Sequence, residues 1–164
     1  MKHRFLPWLI GLLVATLLLG ALLLFAPPAY QGNDDLPLLR ASMGYDTGAP
    51  AEYLPYIAPL LTRLLRLLGT LAPGVAWFSL WQLACLWLAC AVAVKALLQC
   101  ALRHQTRAWL GALAGLAYVG GFALCYLAGV TYTVTAAVLG GVAVLQALSP
   151  DYANARPGAV FRAL

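Results

Sequence analysis

Charge is what this chain has least of: 9% of its 164 residues are Asp, Glu, Lys or Arg, against roughly 25% in an ordinary soluble domain. Acids are scarcest. There are five, and four of them (Asp34, Asp35, Asp46 and Glu52) fall within one short interval. With 63% hydrophobic residues, no soluble fold of this length could bury all its apolar surface, so part of its solvent is expected to be lipid. The apolar runs are continuous and rich in Leu and Ala, without the period-two alternation of a membrane β-barrel. No Cys-x-x-Cys pair and no His/Cys ligand spacing occurs, which argues against a disulfide framework or a zinc site. Cys85, Cys90, Cys100 and Cys125 read instead as small core residues. The net charge of +5 comes without a basic cluster interleaved with aromatics. Nucleic acid is therefore not an expected partner, and the bases sit at the ends of apolar runs as membrane topology requires. A transporter or channel is disfavoured, because no acid lies inside an apolar run and no broken-helix pair or inverted repeat is present.

What is there reads as an all-α, polytopic helical membrane protein: four transmembrane helices plus one amphipathic interfacial helix, in a single membrane domain over 1–164. The spans are expected at about 5–25, 76–98, 109–127 and 132–148, each near the length that crosses a hydrocarbon core. The first follows Met1-Lys2-His3-Arg4 and ends at Pro27-Pro28. Its apolar region exceeds the ~7–15 residues of a signal peptide and offers no small-x-small cleavage site, so a retained anchor is the reading. Trp77 and Trp81 would anchor the second span at one interface, with Lys95 snorkelling at the other. Gly111, Gly115, Gly120 and Gly121 in the third span, and Gly140 and Gly141 in the fourth, are expected to let helices approach closely.

An external loop is expected over 26–75. Its first part, Tyr30 to Ala51, is rich in Gly, Pro, Asp and Ser, with a short helix over Leu36–Ser42 that Asp34 or Asp35 would N-cap. Further on, Leu54, Ile57, Leu61, Leu64, Leu65 and Leu68 share one helical face. Glu52, Tyr56, Pro59, Arg63, Arg66 and Thr70 form a polar stripe on the other. That pattern predicts an amphipathic helix over about 53–71. A cytoplasmic N-terminus places seven bases inside (Lys2, Arg4, Lys95, Arg103, Arg107, Arg156, Arg162) and three outside (Arg40, Arg63, Arg66). The positive-inside rule favours that orientation in the cell membrane, with the acidic loop outward.

The run Tyr30-Gln-Gly-Asn-Asp-Asp-Leu-Pro-Leu-Leu-Arg40, the run Leu71-Ala-Pro-Gly-Val-Ala-Trp-Phe-Ser79 and the segment Thr131-Tyr-Thr-Val-Thr-Ala-Ala137 together resemble the amino-terminal part of bacterial multi-spanning membrane proteins related to GT-C-type glycosyltransferases. In those proteins an external loop with one or two aspartates follows the first span. The resemblance covers about residues 5–148. Family members have many more spans, so it implies the front part of a longer protein, lacking its C-terminal part. It implies a sugar donor on polyprenyl phosphate, used at the outer face. Asp34 or Asp35 would then act as general base on the acceptor hydroxyl or help hold a divalent metal, and Arg63 or Arg66 would face the donor phosphate.

Plainer readings stand beside these. Asp34-Asp35 can be a helix cap and a solvated carboxylate, and Arg63 and Arg66 can anchor to lipid headgroups. Asp46 and Glu52 read as solvated loop charges. His3 and His104 read as interfacial residues. The hydroxyls of Thr131, Tyr132, Thr133 and Thr135 can line a polar cavity or be satisfied by backbone carbonyls. The alternative function is a small non-enzymatic four-span assembly or accessory protein, with membrane lipid and a second copy of the chain as partners.

Overall fold

The computed structural model describes residues 5–26, 28–30, 34–104 and 108–147, and of residues 102–104, 108–112 and 128 only the backbone. Among the described residues there are six helices and no strand: α1 (Leu6–Phe25), α2 (Asp35–Met43), α3 (Pro59–Leu71), α4 (Trp77–His104), α5 (Ala108–Ala128) and α6 (Tyr132–Ala147). Lys2, His3, Arg4, Arg107, Asp151, Arg156 and Arg162 lie outside the described residues, as do the side chains of Arg103 and His104 and the surroundings of Gly111.

α1 has Pro7 in its first turn, where the missing N–H costs no helical bond. It ends at Ala26, whose N–H closes on the Leu22 carbonyl at 2.7 Å, just before the Pro27-Pro28 pair that cannot extend it. At 20 residues it is about 30 Å long. Its buried row, Pro7, Gly11, Ala15 and Leu19, recurs every fourth residue, so one narrow stripe meets a neighbour. That neighbour is α4, which supplies Leu86, Cys90, Ala91 and Val94 to the same apolar cluster. Trp87 donates its indole N–H to Thr16 Oγ1 at 3.0 Å across the contact.

The other side of α1 is an uninterrupted exposed row including Leu6, Leu9, Leu13, Leu17 and Leu24. A core helix of a water-soluble protein would have that row covered. α1 and the Trp77–Ala101 part of α4 are each long and apolar enough to cross a membrane, and the chain fits association with one. The remaining apolar stretches, Leu113–Leu127 and Tyr132–Ala147, are shorter.

α4 is the central element. α1 lies along one side of it, α6 packs through Val142 against Ala89 and Ala93, and α5 adds Phe122 and Tyr126. The start of α4 carries a separate layer, which we term the cap. There Phe78 is enclosed by Leu38 of α2, Leu65 of α3, and Leu54 and Ile57 between them. Gly44, at φ 75°, closes α2 in the left-handed conformation that a C-terminal glycine supplies.

Four expectations are corrected here. The amphipathic helix begins at Pro59 rather than near Tyr53. The proline forces Ala58 out of the helical region, to φ −56° and ψ 136°, and Leu54–Ile57 form a tight turn before it. α4 continues past the expected end near 98 to His104.

Lys95 does not snorkel. It is 3% exposed, with Nζ 3.3 Å from Gln146 Oε1 of α6 and 5.0 Å from the centroid of Trp8 in α1. Its four-carbon stem points across the bundle rather than out along it, and an amide and an aromatic face serve the ammonium in place of water.

The described glycines of α5 and α6 are not contact points within the chain. A Cβ at Gly115, Gly120, Gly121, Gly140 or Gly141 meets nothing within 4 Å. The close approach is at Gly11, where a Cβ would run into the Ala91 carbonyl.

Gly11→Val should therefore lower stability by about 1–3 kcal/mol through overpacking, whereas Gly120→Ala should leave it unchanged or raise it by up to about 1 kcal/mol. Thermal unfolding of both variants in the same mild detergent checks the contrast.

Candidate functional site

The chain leaving α1 crosses the tight α5–α6 connection and is bonded to it three times. Tyr126 donates its hydroxyl to the Ala26 carbonyl at 3.0 Å, the Val130 N–H meets the Ala29 carbonyl at 2.9 Å, and the Tyr132 N–H meets Asp35 Oδ1 at 2.8 Å. The third bond is the strongest in kind. Tyr132 is the first residue of α6, where backbone N–H groups have no helical partner and the helix dipole favours negative charge. A carboxylate 2% exposed thus finds a charge-assisted donor where water is excluded. Thr131 caps the same end by its own hydroxyl, accepting from the Val134 N–H at 3.0 Å.

Neighbouring groups complete the site. Tyr30 is hydrogen-bonded to Ser79 of α4, and its phenol is pushed above the ordinary value. Burial is the main cause and the negative charge of Asp35 adds to it, while the Ser79 bond opposes both. One turn deeper on α4, Gln82 is fully enclosed, and neither end of its amide has a hydrogen-bond partner. Tyr56, between the two cap helices, lies with its ring parallel to that of Tyr132, 3° between planes and 6.2 Å between centroids.

The sequence-expected residues separate into distinct roles. Asp34 and Asp35 are adjacent, but only Asp35 is buried. Asp34 occupies the N-cap position of α2 without making a side-chain cap bond, so its exposed carboxylate is not consumed by the fold. Asp35 caps a helix, but it is α6 and not α2. Asp46 and Glu52 are exposed yet ion-paired, Asp46 to Arg40 at 2.8 Å and Glu52 to Arg66 at 2.9 Å. Arg66 is therefore tied within the cap, and Arg63, one turn earlier on α3, is exposed and in neither pair.

Thr135 takes the plainer reading, donating to the Thr131 carbonyl at 2.9 Å, whereas the Thr131 hydroxyl serves as the helix cap. The four cysteines are free thiols.

Tyr30, Ser79, Gln82 and Tyr56 were not anticipated as site residues. Gln82 had a visible signal, an amide inside an apolar run. Tyr56 had one too, in the Pro55 before it, since proline favours the second place of a tight turn. Tyr30 and Ser79 had none, because their pairing is tertiary.

Among the described residues no group of three His, Cys, Asp or Glu gathers, and one oxygen of Asp35 already serves an amide. Compared with known proteins, the chain matches no family model, no curated protein and no solved structure.

Removing the buried acceptor should loosen the cap. Asp35→Ala should cost about 1–3 kcal/mol, leaving the Tyr132 N–H buried without a partner, while Asp35→Asn, which keeps an oxygen there, should cost less. Chemical denaturation in detergent would rank them. Arg40→Ala and Glu52→Ala should each change stability by less than about 1 kcal/mol, because both ion pairs are open to solvent.

Proposed function

We propose that the chain is a GT-C-type, glycosyltransferase-like membrane protein that transfers a sugar from polyprenyl phosphate at the outer face of the cell membrane. In this reading α1, α4, α5 and α6 cross the bilayer, the N-terminus is cytoplasmic, and the cap with its acidic residues faces outward. The observation that carries it is the division of labour between adjacent aspartates: Asp35 fixes the backbone against α6, and Asp34 presents an exposed, uncommitted carboxylate beside it. A general base needs that combination, a carboxylate free to take a proton on a backbone that does not move.

The step would run as follows. The acceptor hydroxyl oxygen forms a bond to the anomeric carbon while its proton passes to Asp34. The bond from that carbon to the donor phosphate breaks, and its electron pair leaves with the phosphate. Asp35 is a positioning residue. Arg63, exposed and in neither ion pair, is the better placed of the two arginines to meet the phosphate; Arg66 would first have to leave Glu52.

A second reading, a non-enzymatic membrane assembly protein, is favoured by a different observation. Between α5 and α6 lies an open groove of about 340 Å³, lined by residues including Ala117, Tyr118, Gly121, Val138 and Gly141. Its glycines face open space, as they would if a second copy's helix were to fill it. Asp34 decides between the two readings, since assembly gives it no task.

Asp34→Asn should reduce transfer by about 10²–10⁴-fold without altering the amount of protein in the membrane. The assay is membranes containing the protein, supplied with polyprenyl-phosphate-linked sugar. Undiminished transfer in that variant would remove the catalytic assignment.

A further inference from the structure

The turn that carries Tyr56 is built for a different residue. The Ile57 N–H bonds to the Leu54 carbonyl at 3.3 Å, with Pro55 in the second position and Tyr56 in the third at φ 64°. A tight turn of this pattern asks for glycine or asparagine in the third position. Among the described residues Tyr56 is the one non-glycine with positive φ, and an aromatic side chain held there is strained. Both flanks are pinned, because Leu54 and Ile57 are buried in the cap core. Tyr56 is 73% exposed, so the strain is not offset by burying it.

An interfacial anchor would not need this conformation, since an aromatic at any neighbouring unstrained position would serve. What the turn does fix is the direction in which the side chain leaves the backbone. The ring lies parallel to Tyr132, the residue whose N–H Asp35 holds. Tyr56 is thus linked through Tyr132 to Asp35, the residue next to Asp34.

We propose that Tyr56, backed by Tyr132, is a stacking platform for the C–H face of a pyranose ring held beside Asp34. The ligand class rests on the sugar-transfer reading, which this proposal deepens. An aromatic face is electron-rich and meets polarised C–H groups favourably, while the hydroxyl edge of the same sugar stays free for a carboxylate to accept from. Tyr56 thereby selects a cyclic sugar over a flexible polyol and orients it. Its phenol oxygen is not required.

The test uses the full chain in detergent and saturation-transfer NMR, with methyl glucopyranoside, methyl galactopyranoside and methyl mannopyranoside as probes and mannitol as the acyclic control. Wild type and Y56F should transfer saturation to the ring C–H protons of at least one glycoside more than to mannitol. Y56G should lose that signal roughly fivefold, with a thermal midpoint at or above that of wild type, because glycine relieves the positive φ.

Wild type that prefers none of the three glycosides to mannitol overturns the proposal, as does Y56G that binds undiminished. A Y56G variant that loses stability together with binding assigns the ring to the fold and also overturns it. Failure of the transfer reading looks different: Asp34→Asn would keep transfer while Y56G still lost glycoside binding.

Discussion

A carboxylate enclosed by protein needs a donor, and in this molecule the contact of Asp35 with the Tyr132 N–H supplies it across 97 residues of chain. That bond fixes the far end of the segment that follows α1. The bond holds Asp35, and therefore the start of α2, against the start of α6. The Ala26 and Ala29 carbonyls are engaged by the α5–α6 connection in the same region. Once the loop is fixed there, Leu38 of α2 reaches Phe78 at the head of α4, and the rest of the cap closes over it.

The molecule is polar at two opposite places, for different reasons. Near the head of α4, Tyr30, Asp35, Ser79 and the unpartnered Gln82 form a layer where the apolar bundle meets the cap. Toward the far end of α4, Lys95 joins α1, α4 and α6 through Trp8 and Gln146. All four described acids belong to the cap side and the enclosed lysine to the other, so no ion pair among these five joins the two ends. Between them the contact is made by small residues, Gly11 and Ala15 on α1 and Ala91 on α4. Close backbone approach there adds dispersion to the Trp87–Thr16 hydrogen bond.

Much of the helical layout was legible, because long apolar runs bounded by Pro27-Pro28, Pro73-Gly74 and Gly129 leave little freedom in where helices start and stop. The cap was legible as a face of leucines but not in its boundary. Pro59 was read as one member of a polar stripe, when its effect on Ala58 is what starts α3. Lys95 misled because proximity to the end of an apolar run says nothing of which way a side chain points. The glycines misled because small residues mark where a helix can approach, not which neighbour does. In the site, adjacent aspartates were visible but their separation into buried and exposed was not, since it depends on an amide in the last helix.

The most direct measurement of that separation is thiol reactivity. In a background with the four native cysteines replaced, Asp34→Cys and Asp35→Cys would be treated separately, in intact cells, with a membrane-impermeant maleimide. The account predicts rapid labelling of Asp34→Cys and protection of Asp35→Cys until the protein is unfolded. Equal labelling of the two would contradict the buried cap, and labelling of Asp34→Cys only after cell lysis would contradict the outward orientation on which the proposed function stands.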